Sequence, residues 1–318
     1  MAPLAVRPHV QIAESGLRTW AVDEPELVQL VQDLVRALSP AGRFPGPNPC
    51  SVERRDLAGV RDAWLCEKTD GTRVLLVFAR FRGVNLCCVV TRAWEVFLTP
   101  LRHSPRAAFQ GTVLDGELVT AADGGHVWLG FDAMVVCGVP VWRDPLSHRL
   151  DAARRCLGAY SPAPGDPVRL EYKRYFRSFR EYAAYLPTSP FPADGTIVTP
   201  EQTPVCVGRH QGLLKLKDAG GHTVDFEFAA PDVLKVYDAR SRGGVPVARI
   251  DLAGAAPPAV GAIVECLKRE TDDAVWVLVK VRVDKTQSND VLTYERTQVN
   301  ARERMTLADL DLPAFAGV

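Results

Sequence analysis

The chain has 318 residues, 47% of them hydrophobic, so it has the apolar content for a sizeable core and a length that fits two domains or one large one, which excludes a small stapled scaffold. Lys plus Arg and Asp plus Glu number 38 each, so no whole-molecule field draws it to nucleic acid or acidic lipid, and any polyanion site must be a local patch. Eight cysteines scattered through apolar runs, no C-x-x-C, no apolar run of roughly 18 residues and no basic start leading into a long apolar stretch together predict a soluble protein of a reducing compartment with buried thiols.

In chain order, residues 24–38 place Leu27, Val28, Leu30, Val31, Leu34, Val35 and Leu38 at helical spacing, opened by Asp23 and stopped by Ser39-Pro40. This predicts an amphipathic helix. Residues 44–52, F-P-G-P-N-P-C-S-V, are too rich in proline and glycine for regular structure and are expected to form an ordered loop or linker. Residues 63–67 and 74–78 read as strands flanking K-T-D-G-T-R. Asp70-Gly71 between them is a hairpin signal, because glycine supplies the positive φ of a tight turn, and it would hold the Lys68 amine at the mouth of a sheet.

An apolar run at 84–90 is followed by T-V-L-D-G-E-L-V at 112–119, where Asp115 and Glu117, two apart on a strand, share a face. Residues 127–136 predict a strand carrying Phe131 and Asp132, and 147–157 a helix ended by Gly158. Residues 170–180 interleave Tyr172, Lys173, Arg174, Tyr175, Phe176, Arg177, Phe179 and Arg180. The mixture suits bases and phosphates, or else a solvated helix face with aromatic anchors. Lys215 and Lys217 share a strand face opposite Leu214 and Leu216, and two cations on one face invite an anion.

Beyond Phe228, short runs at 233–237, 245–250, 262–267 and 275–283 separated by glycine and proline turns predict a small antiparallel barrel. In the last run Val277, Val279, Val281 and Val283 fall on one face and Lys280, Arg282 and Asp284 on the other. Asn289 is expected to cap a terminal helix to about residue 302, with a short helical turn before Pro313.

A protonated lysine is a poor nucleophile, and with a reference pKa of ~10.4 a neutral amine near pH 7 costs roughly 4 to 5 kcal/mol. Nearby cations are the usual remedy. Arg73, Lys215, Lys217 and a divalent metal are suited to that task for Lys68, while Asp115, Glu117 and Asp194 are suited to hold the metal or a ribose hydroxyl. Metal plus Arg282 and Lys285 would match a departing pyrophosphate. The set reads as nucleotide chemistry.

In that order the motifs resemble those of the covalent nucleotidyltransferases, and within them the GTP:RNA guanylyltransferases of messenger-RNA capping. Lys68 to Arg73 is similar to the family's K-x-D-G-x-R, and residues 113–119 to its D-G-E strand. F-D-A at Phe131, A-D-G-T-I-V at 193–198, L-L-K-L-K with T-V-D-F at 213–226 and V-R-V-D-K-T-Q-S-N at 281–289 follow in family order. R-F-P-G-P-N-P-C-S-V ahead of Lys68, and the R-x-D-K-x-x-x-N ending, resemble capping enzymes more than ligases. Leu216, Lys280 and Ser288 stand where the family commonly has tryptophan, arginine and proline.

The resemblance implies an α+β fold: a ligase-like nucleotidyltransferase domain of twisted antiparallel sheets with flanking helices at 1–225, an OB-fold β-barrel at 226–303, and a tail at 304–318 packing on the first domain. It implies that Lys68 attacks the α-phosphate of GTP, releases pyrophosphate and passes GMP to a 5′-diphosphate RNA end with Mg²⁺ or Mn²⁺ as cofactor. Carried over by position, Arg73 and Glu117 hold the ribose and neighbouring groups, Phe131 stacks on guanine, Lys173 meets the base edge and Asp194 serves the metal. Lys215 and Lys217 grip the α-phosphate, and Arg282, Asp284 and Lys285 orient the β- and γ-phosphates on closure about a hinge near Asp225. A separate RNA triphosphatase and cap methyltransferase are the implied partners, no membrane is involved, and the setting is a eukaryotic nucleus or the replication site of a large DNA virus. The alternatives are an ATP-dependent RNA or DNA ligase and, in another class, a noncatalytic RNA-binding or scaffold subunit.

Overall fold

The computed structural model describes residues 4–39, 42–99, 106–158, 160, 165–217, 222–269, 272, 274–283 and 285–316. In chain order the strands are β1 (Val6–Gln11), β2 (Arg18–Val22), β3 (Gly46–Ser51), β4 (Ala63–Thr69), β5 (Thr72–Phe81), β6 (Val84–Thr91), β7 (Val96–Leu98), β8 (Thr112–Thr120), β9 (His126–Val136), β10 (Val139–Pro140), β11 (Arg169–Tyr172), β12 (Ala193–Pro200) and β13 (Val207–Lys217). Then come β14 (Thr223–Ala229), β15 (Val233–Asp238), β16 (Gly243–Asp251), β17 (Ile263–Lys268) and β18 (Val275–Val281). The α-helices are α1 (Pro25–Arg36), α2 (Arg54–Leu57), α3 (Leu146–Leu157), α4 (Phe179–Tyr185) and α5 (Val291–Glu303). The fold is α+β. The chain divides into two compact units, one of Met1–Cys50, Val60–Lys215 and Asp311–Val318, the other of Ser51–Gly59 and Leu216–Leu310.

In the first unit a large sheet runs β1-β2-β7-β6-β5-β8-β9-β10, with β11 added in parallel to β9, and a smaller sheet runs β3-β13-β12-β4. The large sheet is covered on both faces, which is why β5 and β6 read as near-continuous apolar runs rather than alternating ones. Leu27, Val31 and Val35 of α1 bury against Leu75, Val77, Val90 and Val113 on one face. On the other, Ala153, Cys156 and Leu157 of α3 cluster with Val74, Leu76, Leu114 and Trp128. Each fully buried Leu or Val side chain contributes at most about 1.5 to 3 kcal/mol. Helix α1 starts at Pro25, a residue suited to the first helical position, while Asp23 pairs with Arg7 at 2.7 Å instead of capping.

Two expectations are corrected here. The proline-rich segment at 44–52 is not a plain connector, because residues 46–51 form β3, which borders the smaller sheet and pairs with β13 alone. An edge strand tolerates the missing proline N–H groups that a central strand would not. Nor does Asp70-Gly71 close a hairpin: β4 pairs with β12 and β5 with β6 and β8, so the dipeptide carries the chain from one sheet to the other. Gly71 needs no positive φ. It is glycine because a Cβ there would meet the Leu118 carbonyl at 2.5 Å and Glu117 Cγ at 2.8 Å.

In the second unit β14-β15-β16-β18-β17 close a barrel around Phe226, Phe228, Leu234, Val236, Val264 and Trp276. It is not wholly antiparallel, since β16 and β18 pair in parallel. The inward face of β18 is set by Trp276, while Val279, Val281 and Val283 of the predicted valine row are 52%, 45% and 93% exposed. Asp290 rather than Asn289 caps α5, accepting from the Thr293 N–H at 2.7 Å. Helix α5 holds the excursion of residues 51–59: Arg296 pairs with Glu53 at 3.1 Å, and Glu303 accepts from the Arg54 N–H at 2.7 Å. All eight cysteines are free thiols, six of them buried.

Candidate active site

Lys68 lies near the end of β4, and the register of β4 against β12 slips beside it. Thr69 pairs with Ala193 and Glu67 with Thr196, which leaves Asp194 and Gly195 opposite Lys68 alone. This bulge aims the Asp194 carboxylate at the amine, and Lys68 Nζ donates to Asp194 Oδ1 at 2.5 Å. The two side chains are 23% and 37% exposed, so both remain within reach of a ligand.

The inter-sheet step at Asp70-Gly71 brings β8 up to the Lys68 strand. Thr69 Oγ1 donates to Glu117 Oε2, and Lys173 Nζ stands 3.5 Å from the same oxygen while donating to the Glu67 carbonyl at 3.2 Å. Lys173 is buried, and Tyr175 donates its hydroxyl to the Phe131 carbonyl at 2.8 Å. Arg73 Cζ and Lys173 Nζ lie over the half-buried Phe131 ring at 5.3 and 5.2 Å from its centroid.

Arg73 sits opposite Glu117 in the β5·β8 register but spends its fork on Asp115, Nε to Oδ1 at 3.0 Å and Nη2 to Oδ2 at 2.5 Å. Its Nη1 donates to the Pro47 carbonyl at 2.9 Å. Burial pushes the Asp115 carboxyl up, and Arg73 pulls it back. Asp115 and Glu117, expected to share a strand face, thus have different partners: Asp115 fixes Arg73, and Glu117 faces Thr69 and Lys173. Gly46 of R-F-P-G closes over this ion pair at φ +99°, and a Cβ there would fall 2.6 Å from Asp115 Oδ2.

Sequence reasoning did not single out Arg149. From α3 it makes a second buried bidentate pair, to Asp132 at 2.6 and 2.9 Å, and Asp132 is the cross-strand partner of Asp115. The signal was an arginine on the apolar stripe Leu146, Arg149, Leu150, Ala153. Glu67 was not singled out either; it is fully buried with Oε2 unpartnered among the described residues, and burial raises its carboxyl above the ordinary value.

The aromatic and basic run at 170–180 is partly packed and partly exposed: Arg174, Arg177 and Arg180 are exposed, and Phe179 and Arg180 begin α4. Tyr172 packs edge-on to Trp128, Phe176 bridges to Leu65 and stacks near Tyr182 and Tyr185, and Arg177 pairs with Asp62 and Glu201.

Lys215 and Lys217 alternate along β13 with buried Leu214 and Leu216. Within the barrel unit, Arg282 Nη1 donates to Asp225 Oδ1 at 3.0 Å and Lys285 pairs with Asp225 Oδ2. Asn289 completes the group by exchanging two hydrogen bonds with Asp225, Asp225 N–H to Asn289 Oδ1 at 2.9 Å and Asn289 N–H to the Asp225 carbonyl at 2.7 Å. Asp225, expected near a hinge, is thus a buried anchor inside β14. Asp284 lies outside the described residues.

Among the described residues no three His, Cys, Asp or Glu side chains converge into a metal cage. Mg²⁺ is commonly held by one or two carboxylates together with substrate phosphates, and a single partly exposed Asp194 beside an amine fits that mode rather than an all-protein site.

The family model described as mRNA capping enzyme, catalytic domain, matches residues 13–219. The chain belongs to this family. It is 30% identical to the mRNA-capping enzyme subunit alpha of Candida glabrata over 64% of this chain and 52% of that protein. It is 27% identical to the protein of that name from Yarrowia lipolytica over 84% of this chain and 81% of that one. The match spans about half the length of the Candida glabrata, Eremothecium gossypii and Saccharomyces cerevisiae relatives. Among solved structures, a mycobacterial DNA ligase D complexed with ATP and MES aligns at 14% identity and TM-score 0.44, over 75% of this chain and 94% of that one. The region matched to the capping family includes Lys68, Arg73, Glu117, Phe131, Lys173, Asp194, Lys215 and Lys217, and stops short of Arg282 and Lys285.

Proposed function

We propose that this protein is a GTP:RNA guanylyltransferase that works through a covalent lysyl-GMP. The observation that carries the reading is Lys68 of K-T-D-G-T-R, a partly exposed amine against Asp194 and near the end of its strand, inside the segment matched to the capping family. In the first half-reaction the Lys68 amine forms an N–P bond to the α-phosphorus of GTP, the bond to the bridging oxygen breaks, pyrophosphate leaves and the amine gives up a proton. In the second, a terminal phosphate oxygen of 5′-diphosphate RNA takes the GMP, the N–P bond breaks and Lys68 regains its proton. The product is GpppN-capped RNA.

Each side chain has a task within that scheme. Glu117 and Arg73 orient the ribose, and the Asp115 pair keeps the Arg73 guanidinium from swinging. Phe131 offers a ring face to guanine, with Lys173 beside it for the base edge. Lys215 and Lys217 hold the α-phosphate, while Arg282, Asp284 and Lys285 take the β- and γ-phosphates, in a barrel of OB type. Asp194 would hold a Mg²⁺ or Mn²⁺ ion, which supplies charge neutralisation for the leaving pyrophosphate.

Relatives named as an alpha subunit support a partner subunit for this chain as well. Its chemistry would be an RNA triphosphatase, which makes the diphosphate end, with a cap methyltransferase acting afterwards. The yeast sources of those relatives support a eukaryotic nuclear setting.

The test is incubation with metal and α-labelled GTP or ATP, then denaturation. A labelled band from GTP alone, lost in Lys68→Ala, is the expected result. Label from ATP alone would replace this reading with ligation, and none from either nucleotide across several metals would favour a noncatalytic subunit.

A further inference from the structure

Cys137 Sγ and Cys156 Sγ lie 3.0 Å apart, both as free thiols. Cys137 and Gly138 are the two residues between β9 and β10, at φ +52° and +81°, and Cys156 is the penultimate residue of α3. Both N–H groups of the turn are committed, Cys137 donating to Thr112 Oγ1 at 2.9 Å and Gly138 to the Gly111 carbonyl at 2.7 Å. Seven residues before Cys156, about two helical turns, Arg149 ties α3 to Asp132 on β9. The two sulfurs therefore face each other across a helix–strand contact that is already pinned, and about 1 Å of approach separates them from a covalent S–S bond.

Their surroundings differ. Cys137 is half-buried and within reach of a dissolved oxidant, whereas Cys156 is buried, and that burial together with the Cys137 contact pushes its thiol up to about 12. Cys156 thus waits as a thiol beside the sulfur that meets the oxidant first. We infer that Cys137 and Cys156 form a modification site, a dithiol that hydrogen peroxide converts to a disulfide and a thiol reductant restores. In the first step the Cys137 sulfur attacks a peroxide oxygen; the S–O bond forms, the O–O bond breaks, and the departing hydroxide takes the Cys137 proton as water. In the second the Cys156 sulfur attacks the sulfenic sulfur; the S–S bond forms, the S–O bond breaks, and the leaving hydroxide takes the Cys156 proton as a second water. Two electrons pass from the thiols to the peroxide. Capture by Cys156 protects the fold, because a sulfenic acid with no neighbouring thiol goes on to sulfinic and sulfonic acids that thiol reductants do not reverse. Here those acids would put a charge against the core formed by Val136, Ala153, Cys156 and Leu157.

The experiment treats the folded full chain with dilute hydrogen peroxide, alkylates it without reduction and maps tryptic peptides by mass spectrometry. Arg143, Arg149, Arg154 and Arg155 lie between the two cysteines, so trypsin separates them unless they are joined. Wild type is expected to yield the Cys137 and Cys156 peptides linked, lighter by two hydrogens, and free again after dithiothreitol. Cys206, the other half-buried cysteine, is the comparison and should be alkylated as a thiol. In Cys156→Ser the same exposure should leave about tenfold more Cys137 as sulfinic or sulfonic acid that dithiothreitol does not recover. The wild-type map decides by itself if that variant does not fold. Overoxidation of Cys137 in wild type with no linked peptide overturns the inference. So does linkage of Cys137 to any other cysteine, or oxidation of Cys206 while Cys137 and Cys156 remain thiols.

Discussion

Lys68 Nζ and Asp194 Oδ1 are 2.5 Å apart, and the contact exists because β12 places two residues opposite one on β4. With both groups partly exposed, the pair contributes little to stability, within about 1 kcal/mol. Asp194→Asn should therefore fold normally, slow lysyl-GMP formation by about 100-fold and raise the Mg²⁺ concentration needed for half-maximal labelling. Labelling rates across a metal titration, beside a thermal melt, provide the check; an unchanged metal requirement would remove Asp194 from the metal role.

The Arg73–Asp115 pair behaves differently because it is buried. Breaking it from one side in Asp115→Ala strands a guanidinium, and a loss of about 3 to 5 kcal/mol in urea unfolding is expected. The double substitution Arg73→Met/Asp115→Leu should recover much of that stability while still failing to form lysyl-GMP. Equal stability of the single and double variants would contradict the assignment of Asp115 to fixing Arg73.

Glu67 offers a pH signature. Burial raises its carboxyl above the ordinary value of 4.5, so the folded state holds this proton more tightly than the unfolded chain. Its contribution to stability is therefore best below that ordinary value and declines as pH rises through the folded-state value. Glu67→Gln should accordingly be more stable than wild type near neutral pH, with the gain vanishing as pH falls below about 4.5. Melting curves of both proteins across that range measure the difference, and a gain that grew toward acid would refute it.

Arg282 shares Asp225 with Lys285 in the barrel unit. With its proposed target confined to the β- and γ-phosphates, Arg282→Ala should impair lysyl-GMP formation and leave GMP transfer from preformed adduct comparatively intact. Single-turnover assays of each half-reaction separate the two, and equal loss in both would exclude a role specific to pyrophosphate.

Much was legible before any coordinates. The period of residues 24–38 marked α1, the apolar runs marked β5, β6 and β9, and the spacing of K-T-D-G-T-R, D-G-E, A-D-G and K-L-K marked a nucleotide-transfer family, because local periodicity and short motifs are written in consecutive residues. What the sequence could not assign was partnership. Asp70-Gly71 carries an ordinary hairpin signature, yet strand pairing sends β4 to β12 and β5 to β8, and only that choice sets Lys68 against Asp194 and Thr69 against Glu117. Arg149 carries no motif of its own and gains its partner only where α3 packs it onto Asp132, and within the run at 170–180 it is tertiary packing that sets Tyr172 edge-on to Trp128. Propensity and motif act over a few residues, whereas register, burial and the choice of which carboxylate meets which cation are settled by contacts far apart in the chain.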